Sequence, residues 1–566
     1  MSRYPQSLNT TNPRKEEGME HSAFTKAMVL VLAFALTFVT GAPAFAGGRG
    51  DNGDTATPIK HLVVIFQENV SFDHYFATYP VATNPKGEPS FYARPGTPTV
   101  NGLSGALLTI NPNFLNTTGN GTGAANPFRL DRSQAATADQ GHNYTPEQTA
   151  TDHGLIDLYP ASTGTAGPPP NAPPSAVTTK GLNMGYYDGN TVTALWNYAQ
   201  FFAMNDNSYS STFGPSTPGA VNLVAGQTNG VINATSGASS KIVDGTGNSK
   251  TLIGDADPVG DVCSTSSAQV QMSSQNIGDL LNAAGITWGA FMGGFNLSTM
   301  NSNGTTGCMR STTSVYTGNS EDYIPHHAWF QYYATTANPT HARPASIAEI
   351  GNNGPANHEY DINDFYSALK AGNLPAVSFL KAIAIQDGHA GYSDPLDEQT
   401  FIVTVVNALQ QSRFWGETAV VVLYDDSDGW YDHQMSPIVN QSTSSADTLS
   451  GPGACGNGTN TALAGYNSTN VPHAQGRCGY GVRQPLVVIS PWARENFVDH
   501  TVTDQSSVIH FIEDNWLAGQ RLEGGSFDGV ANSISQMFDF SRDRFAPDRT
   551  LILNPTTGEP VPSFHW

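Results

Sequence analysis

Positive charge is what this sequence has least of. Only 13% of its residues are charged, and 25 Lys plus Arg face 47 Asp plus Glu, for a net charge of −22. No basic stripe is available to neutralise a phosphate backbone, which excludes nucleic acid as a partner. The same balance means that an anionic substrate cannot be drawn in by the overall field and has to be held by local cations. Beyond the N-terminus no apolar run approaches the roughly 18 residues of a membrane helix, so no integral membrane segment is expected in the mature chain. Cysteine is scarce as well. Cys263, Cys308, Cys455 and Cys478 form no CxxC or Cys/His metal spacing. In an exported chain an even number favours two disulfides over buried free thiols, and pairing in sequence order would close one Gly/Asn/Ser-rich loop each.

Export is indicated by the N-terminus. Lys26 precedes an apolar run from Ala27 to Val39, and Ala44-Phe45-Ala46 follows as a signal-peptidase pattern. Residues 1–46 therefore read as a signal peptide, and residues 47–566 as the mature, secreted or periplasmic protein. Met19 is an alternative start, because Glu16 and Glu17 sit where an export signal wants positive charge. By length alone the remainder would divide into several domains.

Continuous β-branched runs mark buried parallel strands at His61 to Phe66, Ala419 to Leu423 and Pro485 to Ile489. Helical periodicity fits Ile277 to Ala284, Thr400 to Gln411 and Ser506 to Trp516, the last opened by polar capping residues from Asp504 to Ser507. Strands interleaved with helices predict an α/β layered sheet. Residues 84–135, 161–180, 228–270 and 436–480 are dense in Gly, Pro, Asn, Ser and Thr and read as long loops, stiffest at Pro168-Pro169-Pro170. Loops of that length suit a construction over an active site.

Three stretches and four histidines carry candidate chemistry. Beyond the first strand comes Gln67-Glu68-Asn69-Val70-Ser71-Phe72-Asp73-His74-Tyr75-Phe76. In an open α/β sheet functional groups gather past the carboxyl ends of strands, and Glu68 with Asn69 offers hard-cation oxygens there. A helix N-terminus with a capping Asn is the bland alternative. The second run empties into Tyr424-Asp425-Asp426-Ser427-Asp428-Gly429-Trp430-Tyr431-Asp432-His433. Neighbouring carboxylates repel unless a cation compensates, and Asp426 at least has to lie past the pleat to share an ion with Asp425. Thr212-Phe213-Gly214-Pro215-Ser216-Thr217-Pro218-Gly219 is a rigid turn that can present a hydroxyl, although such a loop alone says little. His142, His326, His327 and His389 supply candidate positive charge, each of them by itself as compatible with a structural role.

Taken in order, ENVSFDHYF, FGPSTPG, YIPHH, DGH and LYDDSDGWYDH resemble the bacterial phosphoesterase family of acid phosphatases (AcpA type) and non-haemolytic phospholipases C. The resemblance implies an alkaline phosphatase/arylsulfatase-like α/β/α sandwich with a mostly parallel central sheet, one large domain with loop insertions. It implies one divalent metal ion held by Glu68, Asn69, Asp425, Asp426 and Ser216, with Ser216 also the nucleophile because it stands two residues before Pro218. His142, His326, His327 and His389 would line the phosphate pocket, with the choice between His326 and His327 open. Family phospholipases usually have Thr at the nucleophile followed by Pro-Asn-Arg, whereas this chain has Ser216 and Pro218-Gly219-Ala220. The likeness is thus closer to the acid phosphatase branch.

Three carboxylates against one divalent ion leave such a site near −1, repulsive to phosphate. Protonated His142, His327 and His389 would reverse that sign, so an acidic optimum is expected. The oxygen-only donor set is compatible with magnesium, calcium, manganese or iron(II). The leading expectation is an acid phosphatase that cleaves monoesters through a phosphoserine. The alternatives are a phospholipase C releasing a phosphorylated head group and, from another class, a secreted metal-stabilised binding protein. A sulfatase would need its Cys or Ser in a different local motif.

Overall fold

His61–Gln67 forms strand β1, buried from Leu62 onward. It lies near the middle of a nine-stranded sheet whose other members are β2 (Ala203–Tyr209), β3 (Trp288–Met292), β4 (Glu359–Asp361), β5 (Val377–Lys381), β6 (Thr418–Tyr424), β7 (Arg483–Ile489), β8 (Phe497–Asp499) and β9 (Thr503–Asp504). The order across it is β4-β3-β5-β1-β6-β7-β2-β8, with β9 also paired to β2. This is a computed structural model describing residues 55–165, 179–245, 249–442, 444–449, 455, 475–541 and 548–562. The signal peptide expected over residues 1–46 and the prolines at 168–170 lie outside the described residues. Those described belong to one packed unit, Arg49–Trp566. None of their helices is long and apolar enough to cross a membrane.

The architecture is mixed α/β around this large sheet. β1 runs parallel to β5 and β6, and β3 parallel to β4 and β5. The expectation of a parallel strand at Pro485 to Ile489 is corrected: β7 is antiparallel to both β6 and β2. Every residue of β6 and β7 is buried. Burial on both faces sets an apolar composition whichever way the strand runs, so its run of β-branched residues carries no directional signal.

Five helices concern the site: α1 (Phe72–Phe76), α2 (Ser216–Ala225), α3 (Ile277–Ala284), α4 (Pro395–Gln410) and α5 (Ser507–Trp516). α3 has the predicted bounds, capped by Asn276, whose side chain accepts from Asp279 N, and closed by Gly285 at φ 68°. α4 starts before Thr400 because Pro395 fits the first turn and the Asp394 carboxylate caps Leu396 and Asp397 N–H. Residues 228–270, read as loop, instead hold a second sheet of five short strands from Asn229–Ala234 to Gln269–Met272. Strands this short and polar leave too little alternation to see. Both disulfides pair in sequence order, Cys263 with Cys308 and Cys455 with Cys478.

Candidate metal and phosphoryl-transfer site

β1 and β6 pair with Gln67 opposite Tyr424 and both end there. Because they are parallel, the next residues of each, Glu68 and Asp425, leave the sheet side by side at its carboxyl edge. Asn69 turns back with φ 57°, and its N–H donates to Asp425 Oδ1 at 3.0 Å across 356 residues of sequence. Asp425 and Asp426 both lie beyond the strand, so the pleat does not separate them. Ser216 is the first residue of α2 and is buried. Its Oγ lies 3.0 Å from Glu68 Oε2, 3.1 Å from Asp426 Oδ2 and 3.4 Å from Asn69 Oδ1. This approach depends on Gly219: a Cβ there would sit 2.3 Å from the carbonyl oxygen of Asp425. Thr217 faces the other way, with its N–H and hydroxyl on Asp255 Oδ1 at 3.0 and 3.1 Å.

The sequence-selected oxygens of Glu68, Asn69, Ser216, Asp425 and Asp426 are thus brought together. Three features of the cluster fit a cation. One serine hydrogen cannot serve three acceptors. Asp425 Oδ2 is buried without a hydrogen-bond partner among the described residues. The Asn69 amide oxygen faces Glu68 Oε2, Asp425 Oδ1 and Asp426 Oδ2 at 2.8, 3.1 and 3.2 Å. Turning the amide over would relieve those contacts without an ion, but a cation relieves them as they stand. With its hydrogen on Nδ1, against Ala390 O at 2.5 Å, His389 then accepts from the Asn69 amide at Nε2, 3.0 Å away. Burial and the neighbouring Asp425 push the Asp426 carboxyl well above the carboxylate range, as expected of acids crowded together with no cation between them.

Sequence reasoning missed Lys381. It is the last residue of β5, buried, with its ammonium against Glu68 Oε1. Its signal was the one used for Glu68 and Asp425, a polar residue at the carboxyl end of an apolar strand. With it the sum of Glu68, Asp425, Asp426, Lys381 and a divalent ion is zero rather than −1.

The histidines separate. His327 Nδ1 lies 3.2 Å from Glu68 Oε1, whereas His326 points away, 3.9 Å from Asp257 and partly exposed. His327 is therefore the member of the pair that faces the site. Burial, reinforced by His326 and His389, holds the His327 pKa well below the ordinary value, and burial lowers His389 to about 4. For His142 burial works in the same direction, but Asp426 and Asp428 outweigh it and raise its pKa well above the ordinary value. Its Nδ1 is 3.1 Å from Asp428 Oδ1 and 2.8 Å from Gln140 O. These directions run against three protonated histidines: without an ion in the site the charged form is favoured at His142, and burial favours the neutral form at His327 and His389.

Around this centre the motifs brace one another. Glu147, with its pKa raised by burial to about 7, takes Ser427 Oγ at 2.6 Å and Gly214 N–H at 2.8 Å, joining the Asp426 loop to the Ser216 loop. Arg483, on β7 and buried, bridges Asp73 and Asp432 at 3.1 Å each. His433 Nδ1 adds a 2.6 Å contact to Asp73, which places Asp432 and His433 in the scaffold.

The Phosphoesterase family profile matches residues 59–518, a span that contains all of these groups. The chain belongs to the phosphoesterase family. As a member, it is a hydrolase of phosphoric ester bonds. It is 25% identical to a non-haemolytic phospholipase C of Pseudomonas aeruginosa over 86% of this chain, but spans only 58% of that relative's length. Against phospholipase C A of Mycobacterium tuberculosis the identity is 23%, over 93% of this chain and 86% of the relative. Among solved structures, murine ectonucleotide pyrophosphatase/phosphodiesterase 5 aligns at 12% identity over 62% of this chain and 95% of its own, with a TM-score of 0.28.

Proposed function

We propose that this phosphoesterase is an exported, metal-dependent enzyme of phospholipase C type, which cleaves a head-group phosphodiester through a phosphoserine at Ser216. The reading includes an alkaline phosphatase-like single catalytic domain over residues 47–566, released from the signal peptide at 1–46. The observation that carries it is the convergence of Glu68, Asn69, Asp425 and Asp426 oxygens around the Ser216 hydroxyl. These five residues would hold one divalent ion, which when bound acidifies the serine hydroxyl and withdraws charge from the phosphoryl oxygens.

Ser216 Oγ attacks phosphorus and the diacylglycerol oxygen leaves. Water then displaces the serine and releases the phosphorylated head group. His142, kept charged by Asp426 and Asp428, is the group able to give the leaving oxygen its proton. Neutral His327, whose Nε2 has no hydrogen-bond partner among the described residues, is fitted to accept a proton from the incoming water. This pairing of a charged and a neutral imidazole divides acid from base without an acidic medium. A diester suits the charge count. With the ion, Lys381 and the three ligand carboxylates summing to zero, and His142 paired to Asp428, the site has little surplus positive charge, which suits a monoanion better than a dianion.

Ser216→Ala should lower hydrolysis of a chromogenic choline phosphodiester by about 10³-fold or more at pH 7 with metal present; turnover near that of the native chain would refute the nucleophile. The monoester reading keeps one supporting feature, Ser216 in Gly-Pro-Ser-Thr-Pro-Gly. A higher kcat/KM on an aryl phosphate than on phosphatidylcholine would decide for it.

A further inference from the structure

Residues 101–128 contain no Asp, Glu, Lys, Arg or His, in a chain of net charge −22. They form three single-turn helices, Ala106–Thr109, Pro112–Leu115 and Thr117–Asn120, and these are built inside out. The asparagines face inward. Buried Asn111 donates to Leu107 O at 2.9 Å and to the Tyr431 hydroxyl at 3.0 Å. Buried Asn113 donates to Ile156 O at 2.8 Å and accepts from Tyr159 N at 2.9 Å. Asn120 donates to Asp157 O at 2.8 Å. Leu103, Leu107 and Leu108 pack inward, but three large apolar side chains face outward: Ile110 is 57% exposed, Phe114 44% and Leu115 61%, with Leu155 at 62% on the loop that the asparagines clasp.

The arrangement is not for want of a core to fill. Leu103, Ile156, Tyr159 and Tyr431 pack beneath it as a separate apolar cluster. Leu155 is turned outward by a loop in which Asp152, His153 and Ile156 all take positive φ (37°, 55° and 55°), a conformation that a β-branched residue such as Ile156 adopts only when its surroundings impose it. The unit also adjoins the site. Tyr431 belongs to the loop that carries Asp425 and Asp426, and the clasped segment continues from His142 through the helix Tyr144–Thr151.

We infer that this face docks on a zwitterionic phospholipid surface and brings its head groups to the catalytic loop; the inference rests on the phospholipid reading of the substrate. Charge is compatible with this occupant, since the uncharged stretch 101–128 meets a neutral interface without repulsion, with the acids Asp152 and Asp157 confined to the loop of Leu155. Hydrogen bonding supports it. A protein partner is oriented by polar groups at the contact, whereas the amides of Asn111, Asn113 and Asn120 are turned inward and engaged with the protein. What remains outward is uncharged, with Ile110, Phe114 and Leu115 standing among the hydroxyls of Ser104, Thr109, Thr117 and Thr118, and is suited to a fluid interface, as in interfacial anchoring.

The test is flotation of the full chain with phosphatidylcholine vesicles under excess chelator, alongside turnover of a soluble chromogenic phosphodiester with metal. The native chain should float. The Ile110→Ser, Phe114→Ser, Leu115→Ser triple variant should lose at least tenfold in bound fraction and keep soluble turnover within twofold. Leu155→Asn, outside the helices, should shift binding in the same direction and serves should the triple variant fail to fold. A native chain that stays unbound, or variants that float as well as it does, would overturn the inference. So would a native dimer that these substitutions dissociate, since the face would then belong to a second copy. A chain that floats but turns over neither soluble nor lipid ester would sink the catalytic reading and leave the docking face standing.

Discussion

Lys381 shows how one residue changes the sign of an argument. From the oxygen ligands alone the loaded site is anionic and has to recruit histidine charge from the medium. A buried ammonium on Glu68 removes that requirement at neutral pH. Lys381→Met should therefore raise KM for a phosphodiester by roughly tenfold, by restoring net negative charge in a site where charges are poorly screened. Metal affinity, measured by titration calorimetry, should not fall, because the ion then meets −3 rather than −2. A variant that lost metal but kept KM would show Lys381 to be a ligand organiser instead. At this scale the sequence was legible where two signals coincided, as at Asp425-Asp426 after an apolar strand. It was not legible for His326 against His327, which differ by a one-residue rotation of a short helical turn that no local pattern encodes.

Elements meet the site through buried charge, and two contacts have measurable consequences. Arg483 joins β7 to α1 through Asp73 and to the Asp425 loop through Asp432. Arg483→Met leaves Asp432 without its cation and Asp73 with His433 alone, and should cost roughly 3 to 5 kcal/mol in denaturant unfolding. Glu398 on α4 accepts from the hydroxyls of Tyr75 on α1 and Tyr424 on β6, both at 2.7 Å, and burial raises its pKa from 4.5 to about 8. The folded protein then holds a proton that the unfolded chain releases, so stability falls as pH climbs from about 4.5 to about 8. In Glu398→Gln the slope of unfolding free energy near pH 6 should be shallower by about one proton, or ~1.4 kcal/mol per pH unit; equal slopes would place the titration elsewhere. The apolar strands β1 and β6 were readable because burial dictates their composition. β2 was not: Ala-Met-Asn-Asp-Asn-Ser-Tyr becomes a strand because tertiary partners satisfy its buried polar groups, as when Asn205 donates to Thr501 O at 2.8 Å and Asp206 accepts from Asn101 N at 2.7 Å.

For the whole molecule, long polar segments do not imply a loose one. The stretch 228–270 folds as a small sheet, and Cys263, which sits within it, is tied to Cys308 by a bridge closing 45 residues. Reducing that disulfide alone should cost about 4 kcal/mol by the loop-entropy relation, read as a lower unfolding midpoint for Cys263→Ser with Cys308→Ser; an unchanged midpoint would mean that the sheet holds its own loops. The pairing of Gln67 with Tyr424 sets a further constraint on how such a molecule can vary. Lengthening β1 or β6 by one residue would turn Glu68 or Asp425 to the opposite side of the layer and dissolve the cation cradle at once. Insertions of any size at residues 436–442, beyond the loop that β6 leads into, would leave that alignment untouched. Inheritance of chemistry here is therefore a matter of two seven-residue rulers kept in step, with the rest of the chain free to drift in length around them.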